Sequence, residues 1–277
     1  QALKAWNPAY TGGGEFEFRK DGSCSKVNLN GIRGIGSLEP LRGMPLQTLT
    51  IAGSTARGEV RSLEPLTGMK LDYLNVFNNR ITSLEPLRGM PLTQGLHCNW
   101  NEIAGLSPLK GISLPQLNCS VNRITSLEPL RGTRLKELYC SQNRIPSLAP
   151  LAGMPLEILG CEMNRITDLA PVADCPLKEL HAGENPLQTL PNWARRSPAV
   201  FGFACESLSV EQLERTKESW KEQKTWRRHM PKLELLLALK LGYPEALRDL
   251  AVPVGNRRYL AVPFCRTPRQ AREFAGK

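Results

Sequence analysis

The sequence predicts an α/β repeat solenoid: a ladder of short parallel strands, closed at its start by an N-terminal β cap and followed by a helical C-terminal region. Three observations predict it. The pentapeptide Ser-Leu-Glu-Pro-Leu stands at Ser37, Ser62, Ser83 and Ser126, with degenerate copies opening at Gly105, Ser147 and Asp168, in steps of 25, 21, 22, 21, 21 and 21 residues. Leucines recur in register with it at Leu49, Leu74, Leu96, Leu117, Leu138, Leu159 and Leu180. Only 6% of the 277 residues are aromatic, while Gly and Pro number 23 and 22, so leucine must fill the core and turns must recur often.

Each copy runs from Pro-Leu through a Gly-Met-Pro-Leu-like turn into a segment such as Leu71-Asp-Tyr-Leu74-Asn-Val76-Phe-Asn-Asn79-Arg-Ile81 or Leu135-Lys-Glu-Leu138-Tyr-Cys140-Ser-Gln-Asn143-Arg-Ile145. This pattern resembles the leucine-rich repeat, L-x-x-L-x-L-x-x-N/C-x-L. The resemblance implies a leucine-rich-repeat solenoid with about seven copies over residues 37–191. The physical argument agrees with it. One repeat cannot close a core, whereas stacked copies align their leucines into one apolar column beneath a parallel ladder. The asparagines Asn79, Asn101, Asn122, Asn143, Asn164 and Asn185 suit the bend that leaves each strand, with Ser54 in the first copy's place. Proline in every Leu-x-Pro-Leu disfavours a long helix and predicts one 3₁₀ turn per copy, hence a thin arc. Two irregularities interrupt the period: about four extra residues within 52–61, read as a loop or a ligand-shaped protrusion, and one extra residue in Leu92-Thr-Gln-Gly-Leu96, read as a bulge.

Residues 1–36 are expected to cap the open end. Glu15-Phe-Glu-Phe18, Asp21-Gly22 and Lys26-Val-Asn-Leu29 read as strand, turn, strand feeding into the ladder. This stretch is similar to the junction that precedes repeat regions in large bacterial Ser/Thr protein kinases; the resemblance implies a kinase domain outside this chain. Residues 192–252 read as a basic helical region. Ser209-Val-Glu-Gln212 is a capping box for a helix to about Arg228, Pro231 opens a second helix through Leu241, and a third is expected from Pro244 to Leu250. Residues 253–277, with Gly255 to Phe264 as a strand and Ala271-x-x-Phe274 on a helix face, look like the start of a C-type-lectin-like domain, truncated before any ligand residue of that family.

The net charge of +10 is unevenly placed: residues 1–191 carry 19 basic and 17 acidic residues, and the remainder 17 and 9. The repeats are close to neutral. A nucleic-acid surface would want an uncompensated stripe with stacking aromatics, so nucleic acid is not the expected partner of the repeats. Arg80, Arg123, Arg144 and Arg165 after the asparagines, and Glu39, Glu64, Glu85 and Glu128 with Arg42, Arg88 and Arg131, read as a solvated, mutually compensating surface. No apolar run reaches the roughly 18 residues of a membrane span. Gln1 opens the chain without a basic-then-apolar leader, which reads as either a processed chain or a segment of a larger polypeptide.

No His-Glu-x-x-His, Gly-x-Ser-x-Gly or Walker-type loop occurs, and Gly31, Gly34 and Gly36 have the wrong spacing for a dinucleotide site. Cys98, Cys119, Cys140 and Cys161 stand 21 residues apart, at the position that holds Ile51, Val76 and Ala182 in other copies. They read as small core hydrophobes, since parallel thiols point alongside one another and a straight column offers no tetrahedron. Reduced thiols lean toward a cytoplasmic compartment. Cys24, Cys175, Cys205 and Cys265 are scattered. His97 and His181 share a column four rungs apart, roughly 19 Å at ~4.8 Å per strand, and cannot share a metal or a proton. No cofactor is expected.

The candidate site is the exposed side of the strands. One column holds Thr50, Asn75, His97, Asn118, Tyr139, Gly160 and His181; the next Ala52, Phe77, Asn99, Ser120, Ser141, Glu162 and Gly183; a third Gly53, Asn78, Trp100, Val121, Gln142, Met163 and Glu184. Tyr73, Phe77, Trp100 and Tyr139 stand among amides, the composition protein interfaces favour. The reading is a non-catalytic, monomeric scaffold that recognises a protein or peptide on its concave face, with Trp100 and Tyr139 as anchors. Two alternatives stay open: the sensor or regulatory segment of a larger enzyme, such as a bacterial Ser/Thr kinase, and contact with an anionic surface or nucleic acid through the basic C-terminal helix.

Overall fold

The computed structural model describes residues 1–53 and 57–187, together with the backbone of 253–254 and 257–258. Helix α1 (Ala2–Trp6) leads into strands β1 (Glu15–Phe18) and β2 (Cys24–Asn28), an antiparallel pair. Seven further strands join β2 in chain order, all parallel: β3 (Thr48–Thr50), β4 (Tyr73–Asn75), β5 (Gly95–His97), β6 (Gln116–Asn118), β7 (Glu137–Tyr139), β8 (Ile158–Gly160) and β9 (Glu179–His181). The expected ladder and β cap are both present.

Register puts Val27 and the seven expected leucines in one line, each fully buried. Ile51, Val76, Cys98, Cys119, Cys140, Cys161 and Ala182 form the next buried line, and Ile81, Ile103, Ile124, Ile145 and Ile166 close the core behind the asparagines. Each line passes unbroken from repeat to repeat, so truncating one leucine opens a cavity that neighbours cannot fill, at a cost of about 2–5 kcal/mol.

The convex side is built from seven 3₁₀ turns, Glu39–Leu41, Glu64–Leu66, Glu85–Leu87, Ser107–Leu109, Glu128–Leu130, Ala149–Leu151 and Ala170–Val172, each with proline in its first turn. The repeating serine has a role that its spacing did not reveal. Ser37, Ser62, Ser83, Ser126 and Ser147 accept on Oγ the N–H two residues on, at 3.1–3.3 Å, and Asp168 accepts the same bond through Oδ1 at 2.8 Å. A short polar side chain thereby covers a donor the turn leaves unpaired. The glycine that follows a turn, such as Gly68 at φ 78°, reverses the chain in the left-handed region where a side chain would be strained.

The asparagines tie neighbouring repeats together. Asn101 Nδ2 donates to the Val76 carbonyl of the previous repeat at 2.9 Å and to its own Cys98 carbonyl at 3.1 Å, while Oδ1 accepts the Ile81 N–H at 2.9 Å. Asn79, Asn122, Asn143, Asn164 and Asn185 repeat the arrangement. Ser54, expected in the first copy's place, lies outside the described residues.

The bulge is visible, whereas residues 54–56 of the insertion, and with them its reading as a loop or a ligand-shaped protrusion, lie outside the described residues. The extra residue before β5 is absorbed by Leu92 at φ 43° and Gly95 at φ 144°, and pairing with β6 begins only at Leu96 and Leu117, the geometry of a bulge. The insertion returns at Arg57, whose Nε donates to the Asn79 carbonyl, and at Gly58, whose N–H donates to the Asn78 carbonyl.

Helix α1 is too short to show a period and was not expected. Asn7 holds it: the buried side chain accepts the Gly36 and Ser37 N–H groups, each at 2.8 Å, and donates to the Leu3 and Ser37 carbonyls. Gly34, at φ 76°, packs so closely on Ala9 that a Cβ would lie 2.4 Å from its backbone. The helices expected within 192–252 lie outside the described residues. Of 253–277 the description covers a two-residue antiparallel pair, β10 (Pro253–Val254) with β11 (Arg257–Arg258).

Candidate functional site

The strands place Tyr73 and Asn75 on β4, His97 on β5, Asn118 on β6, Tyr139 on β7 and His181 on β9, with every second side chain on the concave face. Phe77, Asn99 and Glu162 follow two residues past their strands, where the ladder continues through backbone bonds such as Gly53 N–H to the Phe77 carbonyl. His97 and His181 sit four strands apart.

Two aromatic residues lie along the sheet. The Tyr73 ring meets the His97 ring edge-on at 5.6 Å and 66°, with its hydroxyl 3.5 Å from Nδ1. Gly95, level with Tyr73 on the next strand, supplies no side chain between them. Tyr139 repeats the device one column over. Its neighbour in register is Gly160, where a Cβ would come 3.2 Å from the Tyr139 Cδ1. Burial raises both phenols above their ordinary value, and at Tyr139 the carboxylates of Glu137 and Glu179 add to the effect.

The amides between the rings are partly committed. Asn75 Oδ1 accepts the Phe77 N–H at 3.0 Å and Asn118 Oδ1 the Ser120 N–H at 3.2 Å, so each closes the bend after its own strand. Gln116 donates to Glu137 at 2.8 Å, and His181 Nε2 lies 3.6 Å from the Glu179 carboxylate. His97 Nε2 is buried and has no hydrogen-bond partner among the described residues.

The third column is not part of the strands. Asn78, Trp100, Val121, Gln142, Met163 and Glu184 all take φ between 51° and 58°, the left-handed turn at the rim where each strand leaves the sheet. A strict alternation cannot foresee this, because the change of hand lies in the backbone. Trp100 and Met163 are therefore rim residues, 51% and 37% exposed. Trp100 and Tyr139, read together as anchors, occupy rungs two apart and different columns.

Charge compensation follows the expectation on the convex side and departs from it along the rim. On the convex side Arg42, Arg88 and Arg131 each meet the carboxylate three residues earlier, at 2.7–2.8 Å. Along the rim Glu102 takes both Arg57 at 2.8 Å and Arg123 at 3.0 Å. Arg80, Arg144 and Arg165 are exposed and pair with no carboxylate among the described residues. Spacing could not show this, since the partners come from different repeats.

Cys98, Cys119, Cys140 and Cys161 are fully buried and free. Burial pushes the Cys119 and Cys161 thiols up to about 12 and those of Cys98 and Cys140 well above their ordinary value, so none is a nucleophile in the folded chain. Among the described residues no group of three or more His, Cys, Asp or Glu could hold a metal ion, and no helix is long and apolar enough to cross a membrane. A cavity of about 120 Å³ between cap and insertion is lined by Gly31, Arg33, Ile51 and Arg57, the last already engaged by Glu102.

No protein-family model and no curated protein matches the chain. Solved structures do. An internalin (InlF) of Listeria monocytogenes is similar at 23% identity and a TM-score of 0.53, over 66% of this chain and 52% of its own. Internalin C2 of the same organism follows at 23% and 0.51, over 61% and 75%. The leucine-rich-repeat ectodomain of the plant membrane receptor kinase GASSHO1/SCHENGEN3 from Arabidopsis thaliana, solved in complex with Casparian strip integrity factor 2, is similar at 20% and 0.52, over 74% of this chain and 26% of its own. The chain thus spans about half the length of the first of these, and the fold is a leucine-rich-repeat solenoid.

Proposed function

We propose that this leucine-rich-repeat solenoid is a non-catalytic scaffold that recognises a protein or peptide on its concave face. The observation that carries the reading is the pair of flattened aromatics, Tyr73 over the Gly95 rung toward His97 and Tyr139 against Gly160. Rings held along the sheet bring large contact area at little cost in conformational entropy, which is what interface anchors require. Asn75, Asn99, Asn118 and Glu162 surround them with polar groups, Phe77 adds a third ring, His181 extends the face, and Trp100, Gln142 and Met163 bound it at the rim. Support in general terms comes from the similar solenoids, one of which was solved with a bound partner.

The test is capture of a partner by the whole chain compared with a Tyr73→Ala/Tyr139→Ala variant, with Arg131→Gln as a convex control. Loss with the double variant and retention with the control is the expected result; equal capture by all three overturns the reading.

A further inference from the structure

The rim beside the concave face carries the one run of arginines in adjacent repeats that lack counter-charges among the described residues. The left-handed residue of each repeat stands two positions before the residue that follows the repeating asparagine, so the rungs read Trp100 with Glu102, Val121 with Arg123, Gln142 with Arg144 and Met163 with Arg165. Backbone bonds hold the second column in step: Arg123, Arg144 and Arg165 donate their N–H to the Ile103, Ile124 and Ile145 carbonyls. Arg144 and Arg165 therefore stand one rung apart, about 4.8 Å, and like charges so placed repel. Every convex arginine of the repeating motif has its carboxylate, whereas these two have none. The exposed apolar side chains of the repeats, Trp100 and Met163, stand on the same rim.

We infer that this rim binds an acidic peptide segment, laid across the repeats with carboxylates on Arg144 and Arg165 and apolar side chains on Trp100, Val121 and Met163. The inference rests on the scaffold reading above and names the class of partner. From the Trp100 rung to the Met163 rung is three steps, about 15 Å, the span of roughly four or five extended residues. Charge also chooses between anions. Glu162 and Glu184 lie beside Met163 and one rung beyond it, where a nucleic-acid backbone, charged at every residue, would meet repulsion. A peptide with two well-placed carboxylates avoids them. Glu137 and Glu179, which face Tyr139, keep the acidic segment on the rim rather than deep in the concavity.

The experiment is selection of random twelve-residue peptides displayed against the whole chain, with the chosen peptides then titrated against variants. The expected result is a pool enriched in Asp and Glu, whose members bind about tenfold or more weakly to Arg144→Gln/Arg165→Gln and to Trp100→Ala/Met163→Ala, lose affinity at about 0.5 M salt, and are indifferent to Arg131→Gln. All these side chains are exposed, and unchanged unfolding midpoints confirm that the variants fold. A pool without acidic enrichment, lost on Tyr73→Ala/Tyr139→Ala and not on the arginine variant, overturns the inference and leaves the concave-face reading standing. A single-stranded DNA oligonucleotide that binds while no peptide does, and is released by the arginine variant, overturns it in favour of nucleic acid. An empty selection with neither ligand bound overturns both readings.

Discussion

The ring of Tyr139 occupies the space a side chain at position 160 would need: a Cβ built on Gly160 comes 3.2 Å from Tyr139 Cδ1. The clash is with the edge of a ring that can rotate, not with backbone. Gly160→Ala is therefore expected to fold normally, with stability unchanged or raised by up to about 1 kcal/mol through a stiffer unfolded chain. It should turn Tyr139 out of its flattened pose and weaken whatever binds there. Tyrosine fluorescence and thermal unfolding measured together check this; loss of stability above 1 kcal/mol would show that the ring cannot move.

Asn101 should be among the costliest polar residues to replace. Asn101→Ala removes the acceptor of the buried Ile81 N–H and one of two donors to each of the Val76 and Cys98 carbonyls, which keep Asn79 and Asn122. With one buried donor left unpaired at about 1–3 kcal/mol, the variant should lose about 1–3 kcal/mol in denaturant unfolding. The exposed Arg144→Ala is the control, expected within about 0.5 kcal/mol of the unaltered chain.

The cysteine column makes the fold sensitive to alkali. Burial holds the Cys119 and Cys161 thiols at about 12 against an ordinary 9.0. Between those values the folded state keeps protons that the unfolded state has released, so the stability present below about pH 9 falls as pH rises, by roughly 1.4 kcal/mol per unit and thiol. Urea midpoints measured from pH 7 to 11 should decline above 9, and Cys119→Ala/Cys161→Ala should lessen the decline, Cys98 and Cys140 keeping the rest; Ala182 already fills that column. Labelling of Cys119 or Cys161 by a thiol reagent at pH 8 without unfolding contradicts the burial.

Val121 is a branched residue at φ 55°, a conformation such side chains rarely adopt. Asn78 takes the same place two repeats earlier, and asparagine tolerates the left-handed region. Val121→Asn is expected to raise the unfolding midpoint, by up to about 1 kcal/mol in stability. A lower midpoint would mean that the valine's packing outweighs its strain.

Much of this protein was legible from its period. Because stacked repeats must put like residues in contact, a 21-residue step was enough to determine the leucine column, the buried cysteine column, the asparagine bend, the single 3₁₀ turn and the parallel ladder. For the candidate site, the period determined which strand positions face outward, and so Tyr73, Asn75, His97, Asn118 and Tyr139. The tertiary structure alone decided the rest. Which arginines are paired depends on carboxylates in other repeats, so Arg123 is held by Glu102 while Arg144 and Arg165 are not. That Trp100, Gln142 and Met163 belong to the rim depends on a backbone change of hand that side-chain alternation does not record. The lie of Tyr139 depends on its neighbour being Gly160, and helix α1 on Asn7 reaching Gly36 and Ser37. A period specifies what every repeat shares; where neighbouring repeats differ, only their contact in space determines the outcome.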